Sequence, residues 1–165
     1  MKKRTHCLLP ILLGCVIVGL CSTGRADEQV PLSSLDLTHM SAGWGTPVAN
    51  RSIQRGPLSI GGRQFAHGVG THAHSVVKIN LGESKRFTAM VGVDDGAGKG
   101  RGSVVFRALL DGNEVFRSDV MKSGDPAVPI DLDLTGKKTP VLQSLGADNG
   151  IDYDHANWAE AVFVV

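Results

Sequence analysis

Three histidines fall within eight residues, at His67, His72 and His74. Imidazole is the commonest metal ligand, so the cluster invites a metal-dependent oxygenase or isomerase. An H-x-H pair of that kind needs a carboxylate soon after it. Here Ser75, Val76, Val77 and Lys78 follow instead. The histidines are therefore read as hydrogen-bonding groups at one end of a β-structure, with an enzyme built on a His67/His72/His74 metal as an alternative. A second candidate is the run from Val93 to Gly100, which carries Asp94 and Asp95 among glycines. It lacks the spacing of a phosphate loop. Glycoside cleavage needs two opposed carboxyl groups across a cleft, and adjacent residues on one strand end point apart. The segment is read as a mobile loop with two acids.

The third candidate is the stretch from Asp148 to Trp158. It packs Asp152, Tyr153, Asp154, His155, Asn157 and Trp158 into a short span. Sugars need this mixture: planar polar groups for the hydroxyls and an aromatic face for the C–H side of the ring. Trp158 taken alone also suits the core, where large aromatic side chains bury the most surface. Serine hydrolase chemistry has no support, because there is no G-x-S-x-G, and no C-x-x-C occurs anywhere.

These residues need a scaffold. Residues 1–26 read as a secretory signal: Lys2, Lys3 and Arg4, then an apolar run from Leu8 to Leu20, then small residues up to Ala26. The apolar run is short for a membrane span. A secreted or periplasmic protein is expected, with no membrane partner beyond export. All three cysteines (Cys7, Cys15, Cys21) lie in that segment, so residues 27–165 form one domain without disulfides. Removing its four basic residues leaves 13 basic against 16 acidic side chains, a net charge of −3. No basic surface recommends nucleic acid.

Within 27–165 the pattern is of strands and turns. Ser75–Leu81 sets Val77, Ile79 and Leu81 on one face, and Arg86–Val93 does the same with Phe87, Ala89, Val91 and Val93. Asp111-Gly112 between two apolar runs signals a hairpin. Ile130, Leu132 and Leu134 alternate with acids, and 141–145 and 158–165 supply the last strands. Seven or eight short strands, with at most one or two helical turns in 27–57 or 146–157, predict an all-β sandwich or barrel. Residues 27–57 read as irregular, with Trp44 between two glycines.

The order of motifs then resembles the NPCBM family of carbohydrate-binding modules, often attached to glycoside hydrolases such as family 98. The likeness runs from about Leu32 to Val165. It rests on Leu32-Ser-Ser-Leu35, Gly43-Trp44-Gly45, Leu58-Ser-Ile-Gly-Gly62, Gly68-Val-Gly-Thr-His-Ala-His-Ser75, Phe87 with Val91-Gly-Val-Asp-Asp95, Gly102-Ser-Val-Val-Phe106 and Tyr153-Asp-His-Ala-Asn-Trp-Ala159. The resemblance implies a galactose-binding-like jelly-roll β-sandwich that binds glycans without catalysis. Trp44, Tyr153 or Trp158 would stack on a pyranose, and His72, Asp152, Asp154, His155 and Asn157 would meet its hydroxyls. An interaction module for a protein or cell-wall partner is the alternative on the same fold. The resemblance further implies a structural calcium where the first ordered loop meets the last strand, with Asp36 and Glu160 as its acids. For Glu160 the alternative is a solvent-facing position on the outer face of a strand.

The signal reading is directly measurable. Mass spectrometry of protein recovered from an exporting host should give an N-terminus at Asp27, within about two residues. A chain that keeps Cys21 carrying a lipid would overturn the soluble form.

Overall fold

The computed structural model describes residues 27–80, 82, 84–147 and 150–165; the signal segment of residues 1–26 lies outside them. Among the described residues twelve strands follow one another: β1 (Gln29–Pro31), β2 (Val48–Ala49), β3 (Leu58–Ile60), β4 (Arg63–Phe65), β5 (Gly68–His72), β6 (Ser75–Lys78), β7 (Arg86–Val93), β8 (Val104–Leu110), β9 (Asn113–Arg117), β10 (Val128–Asp133), β11 (Pro140–Gly146) and β12 (His155–Val164). The all-β sandwich expected from the alternation is what forms. The larger sheet has the order β10-β7-β12-β5-β2, with β1 also paired to β12. The smaller has the order β6-β11-β8-β9, and β3-β4 is a separate hairpin. All pairings are antiparallel.

Strand β7 has the residues and the inward face expected, with Phe87, Ala89, Val91 and Val93 buried. The Asp111-Gly112 turn joins β8 to β9, where Leu110 faces Asn113. Three departures have physical causes. Single 3-10 turns occur at Leu32–Ser34 and Leu37–His39, in the expected segment, but a third forms at Asp95–Ala97, where the Asp94 carboxylate caps Gly96. Short strands β1 to β4 were not legible, because two- and three-residue strands have no room for a period. Strand β12 begins at His155, three residues before the expected start, so the end of the sugar-like stretch is strand rather than loop.

The core lies between the two sheets. Trp158 on β12 is fully buried against Phe87 and Phe106, and its indole N–H donates to Ser144 Oγ at 3.0 Å. Alternation along β12 then sorts the neighbours. Ala156 and Trp158 join the inter-sheet core, whereas Ala159 packs with Leu58, Ile60 and Phe65 of the β3-β4 hairpin on the other face. Between Ala159 and Val162 the register shifts at a bulge, where Glu160 has φ 47°. The bulge returns Ala161 and Phe163 to the core side. Strand β12 is therefore covered on both faces.

The hairpin is fastened by hydrogen bonds as well as by apolar contact. Asp94 Oδ2 accepts from the Ser59 backbone N–H (3.2 Å) and from the Asn157 amide (2.6 Å). Asp95 accepts from Gly61 N–H (3.0 Å), Gly62 N–H (2.9 Å) and the Ser59 hydroxyl. The run expected to be a mobile loop is a clamp, because each acid accepts two backbone N–H donors and one side-chain donor.

Trp158→Ala should cost about 3–5 kcal/mol of unfolding free energy, the usual penalty for emptying a large buried aromatic site. Chemical denaturation measures it. A loss under about 1 kcal/mol would contradict the core assignment.

Candidate functional site

The outer face of the larger sheet ends in a patch of imidazoles. His72 closes β5 and His155 opens β12, and the two are direct register partners. Their ring centroids lie 5.5 Å apart. His72 Nδ1 lies 2.7 Å from the carbonyl oxygen of Ala73. That bond requires Nδ1–H, which leaves Nε2 as an acceptor in the neutral ring. His155 Nδ1 is buried with no hydrogen-bond partner among the described residues. Burial holds the His155 pKa below the usual histidine value, the neighbouring His72 adds to the effect, and Asp94 opposes it.

Trp44 lies over this pair. Its ring is stacked on His155 (6.2 Å, 18°) and edge-on to His72 (5.7 Å, 63°). Gly43 makes that placement possible: its N–H donates to the His72 carbonyl, and a Cβ there would collide with the Ala73 carbonyl and sit 2.6 Å from His74 N. Tyr153 approaches His155 from its own loop, with ring centroids 6.4 Å apart. It has φ 65°, uncommon for a bulky residue, and Gly102 (φ 69°) presses against its carbonyl, where a Cβ would come within 2.5 Å. Arg101 stacks on the same ring at 4.6 Å. Trp44 and Tyr153 stay about half exposed, at 55% and 46%. Together with Gln54, Ile151 and Asp152 these residues line an open pocket of ≈ 360 Å³.

Trp44, His72, Asp152, Tyr153 and His155, named from the sequence, therefore meet in one pocket. The other three do not line it. Trp158 is a core residue, because odd and even positions of β12 face opposite ways; it has no exposed ring to stack on a ligand. Asn157 shares the outer face with His155 but is buried, donating to Asp94. Asp154 is also buried; its Oδ1 accepts from Ser103 N–H at 2.6 Å, and its backbone carbonyl accepts from Ala73 N–H. Burial raises the Asp154 pKa, opposed by the Ser103 bond and by His72 and His74. Gln54 and Ile151 were missed: an exposed glutamine in an irregular segment and a lone isoleucine give no signal of chemistry.

The metal alternatives do not assemble. His67 and His72 bracket β5, roughly 16 Å apart at the usual rise per strand residue. The chain leaves the larger sheet after His72 and enters the smaller one at Ser75, so His72 and His74 share no strand face. Among the described residues no group of three or more His, Cys, Asp or Glu could hold a metal ion. Asp36 and Glu160 belong to no such group among the described residues. Asp36 accepts from Thr38 N–H and Oγ1 and pairs with His39 at 3.5 Å. Glu160 is exposed and pairs with Arg63 at 3.6 Å, so the solvent-facing alternative describes it.

Comparison with known proteins places this architecture. Alpha-1,3-galactosidase B of Akkermansia muciniphila is 34% identical over 143 residues, covering 84% of this chain but only 18% of that enzyme. The CBM51-2 and INT domains of Clostridium perfringens ZmpB, solved with GlcNAc, are 31% identical with a TM-score of 0.76, covering 83% of this chain and 31% of that one. The CBM51 of Clostridium perfringens GH95, solved with methyl-galactose, is 26% identical with a TM-score of 0.77, covering 82% of this chain and 99% of that one. The model of the NPCBM/NEW2 domain matches residues 28–164, nearly all of the sandwich and every residue of the pocket, and the chain belongs to that family.

Proposed function

We propose that this chain is an exported, non-catalytic module that binds galactose-type or related glycans in the Trp44–Tyr153 pocket. The observation that carries the reading is the pocket itself: two half-exposed rings beside two imidazoles, a carboxylate and an amide. The rings offer apolar faces to the C–H side of a pyranose. His72, His155, Asp152 and Gln54 offer donors and acceptors to its hydroxyls. The solved relatives with methyl-galactose and GlcNAc support the same ligand class. Non-catalysis is supported by the family match and by the matched alpha-1,3-galactosidase B, of which the similar stretch makes up only 18%. Export rests on the pattern of residues 1–26 alone.

Isothermal titration with methyl-galactose and GlcNAc tests the reading. Trp44→Ala should weaken binding about tenfold, roughly 1.4 kcal/mol, through loss of the stacking face. Because Trp44 is largely exposed, the melting temperature should move little. An unchanged affinity in a folded Trp44→Ala protein would place the site elsewhere.

Acidity should also matter. His155 faces His72, Trp44 and Tyr153, with Asp94 behind it, and its pKa already lies below 6.5. A neutral sugar covering the ring makes its charged form still less favourable. The bound state then holds fewer protons than the free state. Affinity should be constant above about pH 6.5 and fall as pH drops through the lowered His155 value. His155→Gln should flatten that fall, and titrations across pH 5–8 check it.

A further inference from the structure

A second cavity, of ≈ 470 Å³, adjoins the first, and Gln54 lines both. It lies over the seam where the β3-β4 hairpin meets the end of β7. Asp94 and Asp95 form its floor, and the side chains of Gln54 and Gln64 stand exposed at its sides. Its lining contains no aromatic ring, and no lysine or arginine lines either cavity.

We propose that this cavity is the subsite for the next residue of a neutral oligosaccharide whose terminal sugar sits in the Trp44–Tyr153 pocket, with Gln54 bridging the two. The proposal rests on the sugar-binding reading of the first pocket. Three features carry it. The cavities adjoin at one exposed side chain, Gln54, so a linked pair of sugars spans from one to the other across it. Their linings differ in chemistry: the first has rings for a sugar face, and the second has primary amides, each with two donors and an acceptor, suited to the hydroxyl edge of a sugar. The floor is also fixed in advance. Asp94 and Asp95 are bound to Ser59, Gly61, Gly62, Gly96 and Asn157, so the floor needs no ordering on binding and only the two glutamine side chains do.

The same floor defines the excluded ligands. Two carboxylates below the second sugar, with no lysine or arginine in that cavity's lining, repel carboxylated or sulfated groups there. The specificity is thus for uncharged chains, and it is set by residues that the fold already uses to hold its hairpin.

The experiment is isothermal titration of the purified protein with methyl-galactose, with neutral disaccharides and trisaccharides ending in galactose in α-1,3, α-1,4 and β-1,4 linkage, and with a sialylated trisaccharide. At least one neutral oligosaccharide should bind about three- to tenfold tighter than methyl-galactose, the size of one or two added hydrogen bonds. Gln64→Ala should remove that gain and leave methyl-galactose affinity unchanged. Gln64→Glu should remove it as well. The sialylated probe should bind no tighter than methyl-galactose. If methyl-galactose binds and no oligosaccharide improves on it, or if the gain survives both substitutions, the subsite is wrong. A tighter sialylated probe would overturn the neutral specificity. Absence of binding to every probe would instead overturn the sugar-binding reading of the first pocket.

Discussion

Strand β12 must satisfy opposite environments on its two faces. One face fills the space between the sheets with Ala156 and Trp158; the other carries His155, Asn157 and Ala159 outward. A strand buried on both sides is ordinarily apolar throughout. Here two polar residues occupy the outer face, and each needs a partner. Asn157 finds it in Asp94, which reaches over from the end of β7. That bond also brings in Ser59 and hence the β3-β4 hairpin. His155 finds no such partner for Nδ1, and its ring is covered by Trp44 instead. The pocket thus begins at the point where the covering hairpin stops.

The polar groups around the pocket differ in how firmly they are committed. Asp94 and Asp95 use their oxygens to hold backbone, so they supply field and rigidity. Asp154 is half committed: one oxygen takes the Ser103 N–H, while the other is buried without a hydrogen-bond partner among the described residues. Its raised pKa is the electrostatic expression of that imbalance, since burial disfavours the ionised form. Asp152 and Gln54 are exposed and lie in the lining, free to meet a ligand.

Much of this was legible in the residues. The period-two runs located β7 and β10, because long strands with one apolar face repeat the pattern several times, and the Asp111-Gly112 turn located β8 and β9. The mixture at 148–158 pointed to the right region for Asp152, Tyr153 and His155. It could not separate Trp158 or Asn157 from them, because whether a residue belongs to a loop or a strand decides which way it faces. The start of β12 at His155 is set by its pairing with His72, 83 positions earlier in the chain. The same holds for Asp94 and Asp95: an acid pair among glycines looks mobile until the hairpin donors, more than 30 residues away, are folded against it. Gln54 acquires meaning only through the cavities it separates.

The bulge at Glu160 acts as a phase corrector in β12. Before it, even-numbered residues face the core; after it, odd-numbered ones do. Straightening the bulge with every residue kept would restore strict alternation and turn Ala161 and Phe163 outward if the His155 end held its place. If the Phe163 end held instead, Trp158 would turn outward and His155 would be driven between the sheets. The strand therefore behaves as two reading frames joined at a fixed slip, and a single insertion or deletion elsewhere in β12 would throw one frame out of phase with the core, whereas loss of the one extra residue at the slip would leave both in phase.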